Sequence, residues 1–275
     1  MDYNITAYST ALFSTWINIE QLGILFDAGD GISAGLLQKS RKIKYVFITH
    51  PDRDHVTGLL QFNQLNSREG FPQIYYPKDA GSFPAFREFQ RKFDPHVQGS
   101  IWTGIQHHDE IGLQKQLLVQ AIRNNHIQAD EGVSKSLSYK IFELKRKVKP
   151  AFAQLTGEEK KQIAISKGRD FLTHEVRTNI LSYSGDSPVE DYSRWDQSEI
   201  LIHESTFLKG EDDMEIEAKG NRHSRIDEVF QMVSEIEVGK LILNHFSSRY
   251  SKETIIQSIR SMCKAYHIQI PVFAI

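Results

Sequence analysis

The sequence predicts an α/β chain built from two β-rich halves, each bearing helices, that pack face to face in layers. Three observations carry that expectation. Short apolar, β-branched and aromatic runs are followed by stretches of helical period, and this order recurs in both halves. Five of the apolar runs end on a side chain able to ligate a cation, at His50, His126, Asp186, His203 and His245. With 275 residues and 40% hydrophobic content the chain can bury one large core, so a single domain over 1–275 is expected.

The stretch 44–59 organises the rest. Residues 45–48 read as a buried strand, and a dense polar group follows at once. His50 and Asp52 are two apart, so in extended chain they point the same way, while Asp54 and His55 fall on the turn into a helix expected over 56–65. Carboxylates and imidazoles crowded into a partly buried loop are costly unless a positive charge holds them, and one divalent cation satisfies all four. Gly58 lets that helix approach the sheet closely.

Ahead of this stretch, strands are expected at 4–8, 14–19 and 24–27, closed by a tight turn over 27–31, with a helix at 33–39 leading on. Behind it come a strand at 74–76 and a helix over 83–93, whose phenylalanines at 83, 86, 89 and 93 read as core packing. Strands at 100–106 and 117–123 close the first half. His107 and His108 fall in a solvated turn between them, and His126 lies just past the second.

The second half starts with a strand at 137–144 and a basic tail at 145–149, read as a wet strand end or, more sharply, a phosphate-contacting rim. A charged helix over 157–168 and a strand at 178–183, ending at Asp186, come next. A strand at 199–202 ends in His203 and Glu204, and the acidic run 211–217 has the character of a lid in the connection 205–222. His223 opens a helix at 225–236. A strand at 240–243 precedes His245, and a helix at 252–266 and a strand at 268–275 finish the chain.

The 33 basic and 35 acidic residues nearly balance, so no overall field points to nucleic acid, and any such contact must come from a local patch. Cys263 is the single cysteine, which excludes an internal disulfide and a cysteine-rich zinc site and fits a reducing compartment. No apolar run approaches a membrane span, and the first residues lack a signal pattern. A cytoplasmic location and no membrane partner are expected.

Certain pieces, taken in order, make a specific set: Leu25-Phe-Asp-Ala-Gly29, Ile48-Thr-His-Pro-Asp-Arg-Asp-His-Val-Thr-Gly-Leu59, His126, Tyr183-Ser-Gly-Asp186, Leu201-Ile-His-Glu-Ser-Thr206, His223-Ser224 and His245-Phe-Ser-Ser-Arg-Tyr250. Through them the sequence resembles ribonuclease Z and its relatives in the metallo-β-lactamase superfamily, over essentially its whole length. The resemblance implies a four-layer αβ/βα sandwich, two mixed β-sheets flanked by helices, with two divalent metal ions, zinc first, in the cleft between the sheets. One ion would be held by His50, Asp52 and His126, the other by Asp54, His55 and His245, with Asp186 bridging. It further implies a phosphodiesterase acting through a metal-activated hydroxide on RNA, a tRNA 3′ end or a smaller phosphodiester. Asp54 would orient or deprotonate the water, His223 would give a proton to the leaving oxygen, Glu204 would set the tautomer of His223, and Ser247 and Arg249 would contact the substrate phosphate. His203 would support the site without ligating, and a homodimer is implied as well.

Two departures stand out. Asp52 occupies a position where the family usually has a second His, and an anionic oxygen there favours harder ions, so manganese or iron enters beside zinc. The family also carries a Gly/Pro-rich arm between the third His ligand and the bridging Asp, which clamps tRNA. Here 127–177 has Gly only at 132, 157 and 168 and Pro only at 150, so no such arm is expected. The alternatives are a hydrolase of a small ester, thioester or lactone on the same fold, and a non-catalytic binding member.

Overall fold

In the computed structural model, which describes residues 3–208 and 222–275, successive residues of each central strand enter different cores. Leu25 of β3 (Ile24–Phe26) and Val46 of β4 (Tyr45–Phe47) join one cluster, whereas Ile24, Phe26, Tyr45 and Phe47 join another. On the far side Ile202 of β11 (Leu201–Glu204) and Ile242 of β12 (Leu241–Asn244) share that second cluster, while Leu201, Leu241 and Leu243 enter a third. Period-two alternation between two apolar environments is what strands buried on both faces require. The middle cluster lies between two sheets. The outer two lie under helices, α1 (Ile32–Leu36), α3 (Leu59–Asn66) and α4 (Ser82–Phe93) on one side, α7 (Ile226–Glu235) and α8 (Lys252–Ala265) on the other. These are the four layers expected.

The first sheet has six strands in the order β1 (Ile5–Thr10), β2 (Ser14–Ile19), β3, β4, β5 (Gln73–Pro77), β6 (Ile101–Ile105), and the second has seven in the order β13 (Val272–Ala274), β12, β11, β10 (Thr173–Tyr183), β9 (Leu137–Val148), β8 (Leu117–Arg123), β7 (Glu110–Leu113). Each begins as an antiparallel meander and continues with parallel strands, from β3 through β6 (Ile101–Ile105) in one and from β10 (Thr173–Tyr183) through β13 (Val272–Ala274) in the other. The carboxyl ends of parallel strands lie together, so the residues just after β3, β4, β10, β11 and β12 collect at one edge of the sandwich. Among the described residues no helix is long and apolar enough to cross a membrane.

Several expectations need correction. The helix foreseen over 56–65 is two helices, α2 (Arg53–Val56) and α3, so Asp54 and His55 sit on the first helical turn and not on the turn before it. The break comes from Gly58, whose N–H leaves the helical ladder for the carbonyl of Ala28 at 2.9 Å. A Cβ on Gly58 would stand 2.1 Å from the Gly29 carbonyl oxygen, so only glycine fits that crossing. The strand at 117–123 belongs to the second sheet, together with an unforeseen edge strand β7 (Glu110–Leu113). Phe89 and Phe93 are 51% and 61% exposed and stack on each other. At 3.6 residues per turn the phenylalanine stripe drifts by roughly 120° from Phe83, too far to stay under one face.

The largest correction concerns 127–177. Strand β9 (Leu137–Val148) pairs with β10 over its whole length, Tyr183 opposite Tyr139 and Thr173 opposite Val148, so the hairpin continues past the core as a two-stranded arm. Its head is α5 (Gly157–Lys167), closed at its start by the Thr156–Glu159 capping box, and the single turn α6 (Arg169–Leu172). Glycine and proline content signals flexible loops and is silent about paired strands, which is why the arm was not foreseen. Residues 144–177 carry nine lysines and arginines against four acidic side chains. The acidic run 211–217, and with it most of the connection 205–222 read as a lid, lies outside the described residues.

Candidate metal centre

Four strand ends and one short helix deliver the expected ligands. His50 and Asp52 follow β4, His126 follows β8 (Leu117–Arg123), Asp186 follows β10, His245 follows β12, and Asp54 and His55 ride on α2, whose His55 N–H is held by the Asp52 carbonyl at 2.9 Å. Asp186 stands in the middle: its Oδ2 lies 3.3 Å from His245 Nε2, 3.4 Å from His55 Nε2, 3.7 Å from His50 Nε2 and 4.0 Å from His126 Nε2. Asp52 Oδ2 is 3.6 Å from His50 Nε2 and 3.7 Å from His126 Nε2, and Asp54 Oδ2 is 3.3 Å from His245 Nε2. The groups His50, Asp52, His126 and Asp54, His55, His245 each gather within 4.8 Å, and Asp186 does so with His50 and His55. The seven expected ligands therefore share one volume.

Whether these residues suit a cation is decided by their tautomers. Every imidazole of the set has its Nδ1 engaged by an acceptor: His50 with Thr49 Oγ1 at 2.9 Å, His55 with Asp27 Oδ2 at 2.9 Å, His126 with the Arg222 carbonyl at 2.9 Å, and His245 with Thr206 Oγ1 at 2.9 Å. With Nδ1 donating, each Nε2 carries a lone pair turned toward the shared volume. The Nε2 atoms of His50, His55 and His126 are buried without a hydrogen-bond partner. Three orphaned lone pairs beside three carboxylates are a poor protein interior and a good cation cradle.

Burial would depress His55, but Asp186 and Asp27 raise it well above the ordinary histidine value, so without a cation this ring takes up a proton in the cation's place. Burial pushes the Asp186 carboxyl up, but His245 and His55 outweigh it and hold it well below the usual carboxylate range. The neighbouring His126 and His50 rings hold Asp52 far below its ordinary value against its burial. Burial and the neighbouring His55 keep His50 below the ordinary histidine value, and therefore neutral.

A second group borders the ligands. His223 Nδ1 lies 3.0 Å from Glu204 Oε1 and 3.9 Å from Asp186 Oδ2, with its ring stacked on that of His245 at 5.4 Å. Burial alone would depress His223, but the Glu204 and Asp186 carboxylates more than offset it and raise its pKa to about 9. Ser247 Oγ accepts from Arg249 Nε at 3.1 Å, and the exposed guanidinium rests 5.9 Å from the centre of the Phe207 ring, which in turn meets His223 edge-on.

Residues 12–126 match the family model described as Metallo-beta-lactamase superfamily. The tRNase Z TRZ1 of Arabidopsis thaliana is 26% identical over 269 residues, covering 94% of this chain and 91% of that protein. Among solved structures, the metallo-beta-lactamase fold protein YhfI from Bacillus subtilis matches with a TM-score of 0.66 at 15% identity, covering 100% of this chain and 97% of that one. The short form of human tRNase Z matches at 0.63 and 18%, covering 100% and 96%. Through residues 12–126 the chain is similar to the metallo-β-lactamase superfamily, and over most of its length to ribonuclease Z. With that fold and these donors it is a metal-dependent hydrolase.

What sequence reasoning missed is the shell that holds the candidate ligands. Asp27, read only as part of a tight turn, is fully buried and accepts from Thr49 N and Oγ1, from His55 Nδ1 and, at 2.7 Å, from the Tyr183 hydroxyl of the other sheet. Thr206 Oγ1 donates to Glu204 Oε2 at 2.6 Å while it faces His245 Nδ1. The Leu12 N–H, on the β1–β2 turn, donates to Asp54 Oδ2 at 3.0 Å. The one available signal was positional, a threonine beside or near a strand-end acid in both halves. His203, one of the five strand-end residues, is in no cation group among the described residues; its Nδ1 bonds the Glu204 carbonyl and its ring meets Trp195 edge-on under the outer helices.

Proposed function

We propose that the chain hydrolyses a phosphodiester bond in RNA. His50, Asp52 and His126 would hold one divalent cation, Asp54, His55 and His245 the other, and Asp186 both. Cations bound there would lower the pKa of an attacking water and stabilise charge developing on the phosphoryl oxygens. The observation that carries the reading is the acid seated beside the ligands: His223, protonated at neutral pH, with Nδ1 held by Glu204 and Nε2–H left to give to a leaving alkoxide. Asp54, fixed by the Leu12 N–H, orients or deprotonates the water. Ser247 and Arg249 act as one unit on the substrate phosphate, which the planar guanidinium suits.

RNA is favoured over a small diester by the basic arm, since a run of positive charge set apart from the centre serves only a long polyanion. Zinc is our first assignment, with manganese or iron favoured at the Asp52 position by its oxygen donor. A homodimer and a cytoplasmic location are carried over as part of this reading, the latter on the strength of the lone Cys263.

The deciding assay incubates the purified protein with bis-p-nitrophenyl phosphate and with precursor tRNA, with and without zinc and manganese, beside Asp186→Ala. We expect both substrates to be cut and the variant to be slower by about a thousandfold or more. Equal rates for the two proteins would remove catalysis from the account, and cleavage of the small diester alone would remove RNA. Fewer than one metal per chain by elemental analysis would end the two-cation reading.

A further inference from the structure

Of the four imidazoles aimed at the cation volume, His126 is held differently. The Nδ1 atoms of His50, His55 and His245 meet side chains, whereas that of His126 meets a main-chain oxygen, the Arg222 carbonyl at 2.9 Å. The Arg222 N–H returns to the His126 carbonyl at 3.2 Å, so the two residues are joined twice through their backbones. A carbonyl only accepts, so it keeps the proton on Nδ1 and leaves the Nε2 lone pair free. Yet 96 positions separate the partners, and residues 222–224 lie in neither strand nor helix. A carbonyl in irregular chain steers an imidazole only if something else fixes it.

Glu190 supplies that hold. It lies four residues past Asp186, and its carboxylate spans two segments of chain: Oε1 accepts from Arg222 Nη1 at 2.6 Å, and Oε2 accepts from Asn125 Nδ2 at 2.5 Å. One donor belongs to the residue that carries the carbonyl, and the other to the residue next to His126. A single acid thus closes a ring that runs through Arg222 to His126 and back through Asn125. The chain from 223 onward is anchored separately, with Ser224 Oγ donating to the Ser187 carbonyl at 2.6 Å and His223 held by Glu204. What Glu190 adds is the placement of residue 222. The Arg222 and Glu190 side chains are 46% and 25% exposed, so as a bare ion pair they add little to folding stability. Their effect is positional.

We infer that Glu190 is a positioning residue for the cation assigned to His50, Asp52 and His126, an inference that rests on the two-cation reading above. With the ring closed, the Arg222 carbonyl keeps His126 in the Nδ1–H tautomer and Nε2 faces the cation as a lone-pair donor. With the ring open, the carbonyl drifts and the proton distributes over both ring nitrogens. Only the Nδ1–H share can then ligate through Nε2, and the apparent affinity falls by that share. The other cation, at Asp54, His55 and His245, keeps its affinity, because Asp27 and Thr206 hold its two rings.

Three measurements test this together: chelator-competition titration with zinc, and histidine nitrogen-15 spectra and urea denaturation of the metal-free protein. Glu190→Ala should weaken one of two zinc ions by about ten- to a hundredfold and leave the other unchanged. Glu190→Gln should fall between, since an amide offers one acceptor oxygen where the carboxylate offers two. Arg222→Ala keeps its carbonyl but loses the guanidinium; it should match Glu190→Ala, and the double variant should be no weaker than either. In the spectra of Glu190→Ala, His126 should pass from one tautomer to a mixture while His50 does not change, and the urea midpoint should stay at the wild-type value. Unchanged zinc affinity with a single His126 tautomer would overturn the assignment. So would equal weakening of both ions with a lowered urea midpoint, the mark of an ordinary structural pair. A wild type that takes up no zinc would end the two-cation reading, and the His126 tautomer would still decide whether Glu190 holds the ring.

Discussion

Each sheet carries a set of one buried carboxylate, one threonine and two histidines beside the centre, and the two sets are wired alike. On the first sheet Thr49 donates to Asp27 and takes His50 Nδ1–H, while Asp27 takes His55 Nδ1–H directly. On the second, Thr206 donates to Glu204 and takes His245 Nδ1–H, while Glu204 takes His223 Nδ1–H directly. The difference lies in the histidine held directly. Both come within reach of candidate cation groups, His55 with Asp54 and His245 and His223 with His126 and Asp186, but the His55 side chain is fully buried whereas that of His223 is partly open to solvent. One arrangement on this reading fixes ligands, and the other fixes a ligand and a mobile proton together.

That contrast can be broken most severely at Asp27. Asp27→Asn removes a buried charge on which four donors converge, and should cost about 3 kcal/mol of stability, read by urea denaturation. Elemental analysis of the same variant should find less metal per chain. Glu204→Gln should behave otherwise, keeping its metal while kcat falls by roughly two to three orders of magnitude. Were both variants to lose metal equally, the division of labour would be wrong.

The pH dependence of the metal-free protein sharpens the point. The pKa of His223 is raised in the folded state to about 9, so its contribution to stability is complete below the ordinary histidine value and lost as pH rises through 9. Asp52 and Asp186 are depressed, so theirs is present above the ordinary carboxylate value and lost as pH falls. Wild type should therefore weaken between about pH 6.5 and 9 by up to about 3 kcal/mol, and Glu204→Gln should weaken much less over that interval. Parallel denaturation midpoints for the two proteins would remove Glu204 as the cause. The smallest effect belongs to Thr206: Thr206→Val should lower kcat about tenfold by releasing one hydrogen bond in each direction, and Thr206→Ser should recover most of it. A serine variant as slow as the valine one would show that the methyl group matters and the hydroxyl does not.

The candidate ligands were legible because cation chemistry demands particular atoms at strand ends, and His50, Asp52, Asp54, His55, His126, Asp186 and His245 announce themselves by residue type. Asp27, Thr49 and Thr206 were not, since a buried acid in a Gly turn and a threonine in a strand look like ordinary structure until their partners, up to 156 residues away, are in place. Strand boundaries followed the alternation of apolar side chains. Membership of a sheet did not, because β8 joins the second sheet through pairing with β9, a long-range contact that no local period encodes. Phe89 and Phe93 mark the limit of reading a core from spacing alone.

Gly185 has φ of +58° and carries the chain from β10 to Asp186, and a Cβ there would stand 2.6 Å from Thr49 Cγ2. The turn of one sheet thus rests on the hydroxyl-bearing residue of the other, with no room for even a methyl group between them. The catalytic pair of layers behaves as a mould closed by contact: any slip of one half against the other registers first where the cations would sit, long before it disturbs the hydrophobic interior.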